Sequence, residues 1–489
     1  SSTTGSYNTA LGSLALNENT TASNNTAVGY QAGYSNTTGA EITAVGRQAL
    51  LANTTGSNST ATGVQALQSN TTGASNASFG RLGLGANTTG SYNTSVGSAA
   101  LRNNTTASNN TAVGYQAGYA NTTGDKNVAL GGSSGLDNTT GRLNTFVGYN
   151  SGANNTTANS NTFMGESAGF TNTTGASNTA IGQSALVFNT TASNNTAVGY
   201  QAAYSNTTGT GITAIGKQAL YTNSTGASNI AIGNASLFDN TTGSTNTAIG
   251  DTSLPNNTTG AANVAIGYQS LLSNTTASDN TAVGYQAGYS QTTATRNVLI
   301  GSQAGDAITT GSECVIVGRN AGGSLTTGGT NTFVGADAGT TITSGAKNTI
   351  LGRYNGNQGG LDIRTSSNNI VLSDGDGNVR AHWDVNGILK VPANAADENA
   401  SSGTGFTVSP SGYIISTRTS GSANIYVNKA GTTGEMVRFL ASGSDVGSID
   451  ITGSSTSYNT SSDHRLKENV VYDWDATTRL KQLKPARFN

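Results

Sequence analysis

The sequence has little of what a catalytic site or a compact globular core requires. Its 489 residues include one cysteine, four prolines and two histidines, and only 9% are charged. A single thiol, Cys314, excludes an intrachain disulfide framework. Two histidines, His382 and His464, leave no basis for a His-based catalytic triad or a zinc site. Four prolines beside 66 glycines exclude collagen, which needs Gly at every third position and far more Pro. Scarce charge argues against simple disorder, and a net charge of −2 removes the electrostatic case for nucleic acid. No apolar run reaches membrane-spanning length, so membrane insertion is not expected. No cofactor is expected either.

The chain is built from a repeat. The pentad N-T-A-V-G and its variants begin at residue 8 and at every seventeenth residue through 348, giving 21 copies without insertion. With Asn8 as position one, position five is always Gly: Gly12, Gly29, Gly46 and so on through Gly114, Gly199, Gly284 and Gly352. Position four is apolar in every copy except Thr62, and position twelve is Asn in sixteen successive copies, Asn19, Asn36 and onward to Asn274. A second period overlies the first. T-A-S-N-N-T-A-V-G-Y-Q-A-G-Y at 21–34 recurs at 106–119 and, with one change each, at 191–204 and 276–289, a spacing of 85 residues or five repeats. Duplication in blocks multiplies length, which is how a shaft grows.

Seventeen residues suit one coil of a β-solenoid. Positions two to four read as a short strand with two and four on one face, and Val, Ile and Ala supply a thin shared core. The Gly permits a bend or a close backbone approach, and N-T-T-G supplies the turn. Stacked coils place the position-twelve amides above one another as a ladder. That run ends in Gln291, Ile308, Leu325 and Ile342, where partner subunits or a following domain are expected to pack. At ~4.8 Å per strand the 21 coils extend about 100 Å. So thin a core predicts association with further copies of the chain.

Sharper motifs have simpler explanations. G-E-S-A-G at 165–169 and G-G-S-S-G at 131–135 match a hydrolase elbow, yet each only fills positions five to nine of a coil. D-G-D-G-N, Asp374 to Asn378, lacks the closing Glu of a calcium loop and reads as a β-turn. His382 reads as a surface or packing residue, and no metal site is expected. Paired Thr at positions thirteen and fourteen resemble ice-binding arrays but lie beside a turn. Tyr30, Tyr34, Tyr115, Tyr200 and Tyr285 are candidate surface contacts, able to stack on sugar rings or to cover the coil.

N-T-A-V-G-Y-Q-A with its invariant Gly resembles the head repeats of trimeric autotransporter adhesins, over about residues 1–352. The resemblance implies a parallel β-roll packed as a homotrimer, although a 17-residue coil is longer than the family's. S-S-D-H-R-L-K-E-N-V at 461–470 and L-K-Q-L-K-P-A-R-F at 480–488 are similar to the start of the endosialidase-type intramolecular chaperone of phage tail fibres and spikes. That resemblance implies trimerisation and, in a complete chaperone, a single self-cleavage between Ser461 and Ser462, with Ser462 as nucleophile and Lys467 as base.

The resulting expectation is an all-β chain: a β-roll or β-solenoid shaft over 1–352, a transition β segment over 353–400, a β-rich tip over 401–461, and the start of a chaperone over 462–489. A short helix is expected at about 476–483. The function expected is a virion tail fibre that attaches to a host receptor or glycan, joined to the baseplate or an anchoring protein through a preceding segment. The alternatives are a bacterial surface adhesin and, further off, a polysaccharide-degrading spike. Only eight Asp or Glu lie in the first 300 residues, few for a spike that needs paired carboxylates.

Overall fold

A computed structural model describes residues 4–391, 405–408, 410, 412, 414–417, 433–442, 444–452 and 455–460. Twenty-one three-residue strands, from Thr9–Leu11 to Thr349–Leu351, stack as one parallel ladder. Each pairs with the strand seventeen residues on in unshifted register, as in Thr26↔Thr43, Ala27↔Ala44 and Val28↔Val45. The chain is therefore an all-β parallel solenoid of 17-residue coils. Among the described residues there is no helix.

Backbone bonds tie each coil to both neighbours around its perimeter. In one coil the amides of Thr43, Leu50, Ala52 and Thr54 donate to carbonyls of the next coil, whereas those of Gly46, Gln48 and Asn58 donate to the previous one, all at 2.8–3.0 Å. The stretch after the Gly is a turn. Its path uses the left-handed region at non-glycine residues: Gln48 (φ 60°), Leu50 (φ 50°) and Asn58 (φ 57°) recur as positions seven, nine and seventeen. Each such residue costs about 1–2 kcal/mol, which the inter-coil bonds and shared core must offset.

Position three, not position four, faces inward. Ala27, Ala44, Ala180 and Ala248 are fully buried, while the Thr before and the Val or Ile after each of them lie partly in solvent. Of the expected core of Val, Ile and Ala, the strand's Ala is inside, and the place of the position-four Val and Ile is corrected here. Two inward-facing branched residues per strand would overfill a coil this narrow, because Leu at position nine already enters it. Leu50, Leu67, Leu186 and Leu220 are all 0% exposed. The two positions trade volume. Where position three is large, position nine is Gly, and a Cβ there would meet the ring or branch: 2.4 Å from Phe146 at Gly152, 2.5 Å from Phe163 at Gly169, 2.8 Å from Phe333 at Gly339. Both are small at Ala27 with Gly33 and at Ala197 with Ala203, and in each case the next coil carries a buried Ile, Ile42 or Ile212, at position one, Ile42 lying 3.6 Å from a Cβ at Gly33.

The apolar replacements at position twelve are a second correction. Ile308, Leu325 and Ile342 are fully buried in the chain's own core, beside Leu299, Ile316 and Phe333. No partner is needed to cover that corner. The regular period then breaks once. Asn348 is followed by its counterpart Asn369 after 21 residues, and the extra length forms a small hairpin, Asn357–Gln358 against Leu361–Asp362. Tyr354 closes the core there, fully buried, with its hydroxyl donating to the Leu361 carbonyl at 2.8 Å. The strand Ile370–Ser373 continues the parallel ladder, then pairs antiparallel with Val379–Trp383, which pairs with Leu389–Val391 and that with Gly405–Val408. This meander ends the solenoid.

Contacts divide the chain at residues 415 and 416. In the second unit, Thr433–Ala441, Ser444–Thr452 and Ser455–Thr460 form an antiparallel three-stranded sheet.

Candidate interaction surface

The outer face of the strand ladder consists of positions two and four. Position two is Thr in fifteen of 21 coils and otherwise Val, Ile or Ala. Position four is Val, Ile, Leu, Met or Phe in twenty. None of these side chains is charged. They remain accessible: Phe79 is 45% exposed, Ile215 38% and Ile300 39%. The pattern was visible in the sequence, but its direction was not.

The invariant glycines let successive coils approach closely at the end of this face. From Gly12 to Gly335 their φ lies between 128° and 144°, a region that L side chains rarely adopt. A Cβ at Gly199 would sit 2.5 Å from the carbonyl oxygen of Gly216. Behind the face run two side-chain ladders. At position twelve the Nδ2 of Asn36 donates to Asn19 Oδ1 (3.1 Å) and to the Gly39 carbonyl (2.9 Å), and the pattern repeats to Asn274. Asn274 Oδ1 is left without a partner, because Gln291 turns to the Ala294 carbonyl and pairs through Oε1 with Asn297. At position one, which sequence reasoning did not single out, Asn93 Oδ1 accepts the Asn110 amide (3.0 Å), and Asn110 Nδ2 donates to the Gly124 carbonyl (2.9 Å). The signal was available, since position one is Asn in most coils. Cys314 occupies this ladder, its thiol donating to the Gly328 carbonyl in place of an amide, and burial pushes its pKa up. Thr at position thirteen is also engaged, as when Thr37 Oγ1 donates to the Thr54 carbonyl. Half of each Thr pair is thus used internally.

Tyr30, Tyr115, Tyr200 and Tyr285 lie on the surface, 44–61% exposed, whereas Tyr34 is half-buried. Tyr268 stacks on Tyr285 with ring centres 5.6 Å apart. On another flank Tyr204, Tyr221 and Phe238 stack face to face at 5.0 Å, with Phe188 edge-on to Tyr204. Stacked rings hide their faces from a ligand, so this row covers the coil and offers a sugar only edges.

The position-one ladder ends on His382. Its Nε2 lies 3.0 Å from Asn369 Oδ1, the atom that would otherwise accept a further coil's amide. His382 is buried, Nδ1 has no partner, and burial lowers its pKa below 6.5, opposed by Asp384 and reinforced by Lys390. A depressed pKa means that the unfolded chain binds the proton more tightly. Stability of the meander should therefore be constant above pH 6.5 and fall below it, until the folded group itself titrates. Amide exchange of residues 370–383, corrected for intrinsic rates, should show faster opening at pH 5 than at pH 7.5. His382→Gln, which keeps a donor, should abolish the difference.

Asp374 to Asn378 is a turn. Asp374 Oδ1 accepts the amides of Asp376 and Asn378, and Oδ2 accepts from Asn378 Nδ2 and Arg380. The Asn378 side chain, with Arg380, holds the Asp374 pKa down to about 2. Near the hairpin, an open polar concavity of about 360 Å³ is lined by Asp337, Thr340, Thr341, Arg353, Asn355, Gln358 and Asp376. Asp337 is engaged by Arg319 (2.8 Å), Arg353 (3.1 Å) and Asn320 (3.2 Å). Among the described residues no group of His, Cys, Asp and Glu could hold a metal.

In the three-stranded sheet, Val437, Ile449 and Tyr458 stand opposite one another and share a face with Phe439 and Ile451. The other face carries Glu435, Arg438, Asp450 and Asn459. Phe439 and Tyr458 are 48% and 77% exposed. Ser462, Lys467, His464 and the helix expected at 476–483 lie outside the described residues.

The fold defines a class, the parallel β-solenoid repeat proteins. No known protein family, curated protein or solved structure matches this chain.

Proposed function

We propose that this chain is the shaft and attachment region of a homotrimeric phage tail fibre, exposed on the virion, that brings the particle to a host receptor or glycan. The observation that carries the reading is the gapless stacking of 21 coils beside strand faces that the chain leaves uncovered, on the solenoid and on the three-stranded sheet alike. Length multiplied in like coils suits a spacer. The polar concavity beyond the last full coil offers hydroxyl, amide and carboxylate groups of the kind that bind saccharide hydroxyls. Residues 462–489 then begin the chaperone that trimerises the fibre, with Ser462 and Lys467 limited to one self-cleavage. The role is structural. A polysaccharide-cleaving site needs a pair of carboxyl groups, and of the two in the concavity, Asp337 and Asp376, the first is tied to two guanidinium groups.

The exposed Tyr30, Tyr115, Tyr200 and Tyr285, recurring every five coils, favour a second reading: a bacterial surface adhesin whose coils bind directly. Expression of the full-length gene product, followed by mass determination in solution and in denaturant, separates the readings. A trimer whose polypeptide ends at Ser461 is expected. An intact monomer overturns the fibre, and a trimer retained through a C-terminal membrane anchor selects the adhesin.

A further inference from the structure

We infer that the outer face of the strand ladder is the surface along which copies of this chain pack, side by side and in coil-for-coil register. The inference rests on the self-association proposed above and specifies where it occurs. Forty-two side chains at positions two and four form the face, none charged. At ~4.8 Å per strand and two side-chain columns in width, it measures about 100 by 10 Å. That is ~1,000 Å² per copy, above the ~800 Å² per partner typical of a stable interface.

Period identifies the occupant. A partner must present side chains at the same rise over 21 coils, or the two surfaces lose registry within a few strands. A second copy of this chain meets that condition by construction. Only a parallel arrangement sets each position-four residue beside its own counterpart and brings Phe79, the largest of them, level with Phe79 of its neighbours. The inward-facing Ala residues do not take part, so the face can be altered without touching the core.

The test replaces Ile215, Ile232 and Ile249, position four of three consecutive coils, with Glu. The variant should keep the circular dichroism and coil stability of the parent, while its mass in solution falls threefold, to that of one chain. A second variant, Ile232→Cys, should form interchain disulfides on mild oxidation, whereas Ser244→Cys, on another face of the solenoid, should not. If the parent is a trimer and the triple variant remains one with no cross-link at residue 232, this face is not the interface, although the fibre reading stands. If the parent itself is monomeric, both fall.

Discussion

Gly199→Ala is expected to open the solenoid locally, at a cost above the roughly 1–3 kcal/mol of backbone strain alone. Two effects combine. The φ of 134° lies where an L residue is strained by about 1–3 kcal/mol. The added Cβ would also stand 2.5 Å from the Gly216 carbonyl oxygen, and that atom is backbone, engaged within its own coil by the Ala219 amide at 3.3 Å. Relief requires separating two coils, which breaks the perimeter bonds between them. Because each coil touches only its neighbours, the damage should stay local and divide the column into two folded blocks. Limited proteolysis should give a new cut between about residues 195 and 220, with fragments that remain folded. Gly33→Ala is the control. It introduces the same methyl group at a φ of 59°, where Leu50 and Ala203 already occupy equivalent positions, and the nearest atom is a flexible Leu16 methyl at 3.0 Å. Its effect should stay within the roughly 1–2 kcal/mol that the other non-glycine residues at this position already cost. Equal losses at both sites would show that the position-five Gly is not held by the close approach described here.

The period, the strand and the Asn19–Asn274 ladder were legible because each depends on identity repeated at one spacing. The inside-outside sense of the strand was not. A binary reading gives the interior to position four, apolar in twenty coils, and treats the Ala at position three as filler. Coil width decides otherwise, since the space across from position three is taken by Leu at position nine or by Phe at position three itself. The exchange of Phe146, Phe163 and Phe333 against Gly152, Gly169 and Gly339 is written in the sequence, and it would have marked the inward position. Of the tyrosines read as surface contacts, Tyr30, Tyr115, Tyr200 and Tyr285 are exposed and Tyr34 is half-buried. The hairpin at 357–362 and the seat of His382 follow from the single 21-residue spacing, whose path no repeat specifies.

The uncovered strand faces also explain why the apolar pattern misled. A chain with 34% apolar residues can fill a thin interior with Ala and Leu and still have Val and Ile to place outside. Such a surplus is a liability in a monomer and a resource in an assembly, which joins the fold to the fibre reading.

Asn206→Ala and Asn206→Asp should separate hydrogen bonding from charge within the position-twelve ladder. Asn206 is fully buried; its Nδ2 donates to Asn189 Oδ1 (2.9 Å) and the Gly209 carbonyl (3.0 Å), and its Oδ1 accepts from Asn223 (2.8 Å). Alanine removes all three bonds and leaves buried partners under-satisfied, at an expected cost of about 2–4 kcal/mol. Aspartate has nearly the same shape but, when ionised, sets a buried charge against the Asn189 and Gly209 oxygens. At neutral pH it should therefore cost more than alanine. Burial raises a carboxyl pKa, so the folded variant binds its proton more tightly than the unfolded chain. Stability of Asn206→Asp should then rise as pH falls through the raised folded value toward about 4, because the neutral carboxyl regains one donor and one acceptor. Asn206→Ala should show no such recovery. The comparison is read from denaturant midpoints at pH 7.5 and pH 4.5. The coils around Ile308, Leu325 and Ile342 show why the loss belongs to a broken ladder and not to a missing amide: there successive corners are apolar together, so no partner is stranded. If the two variants lost equal stability at both pH values, the amide column would be filling space and not bonding.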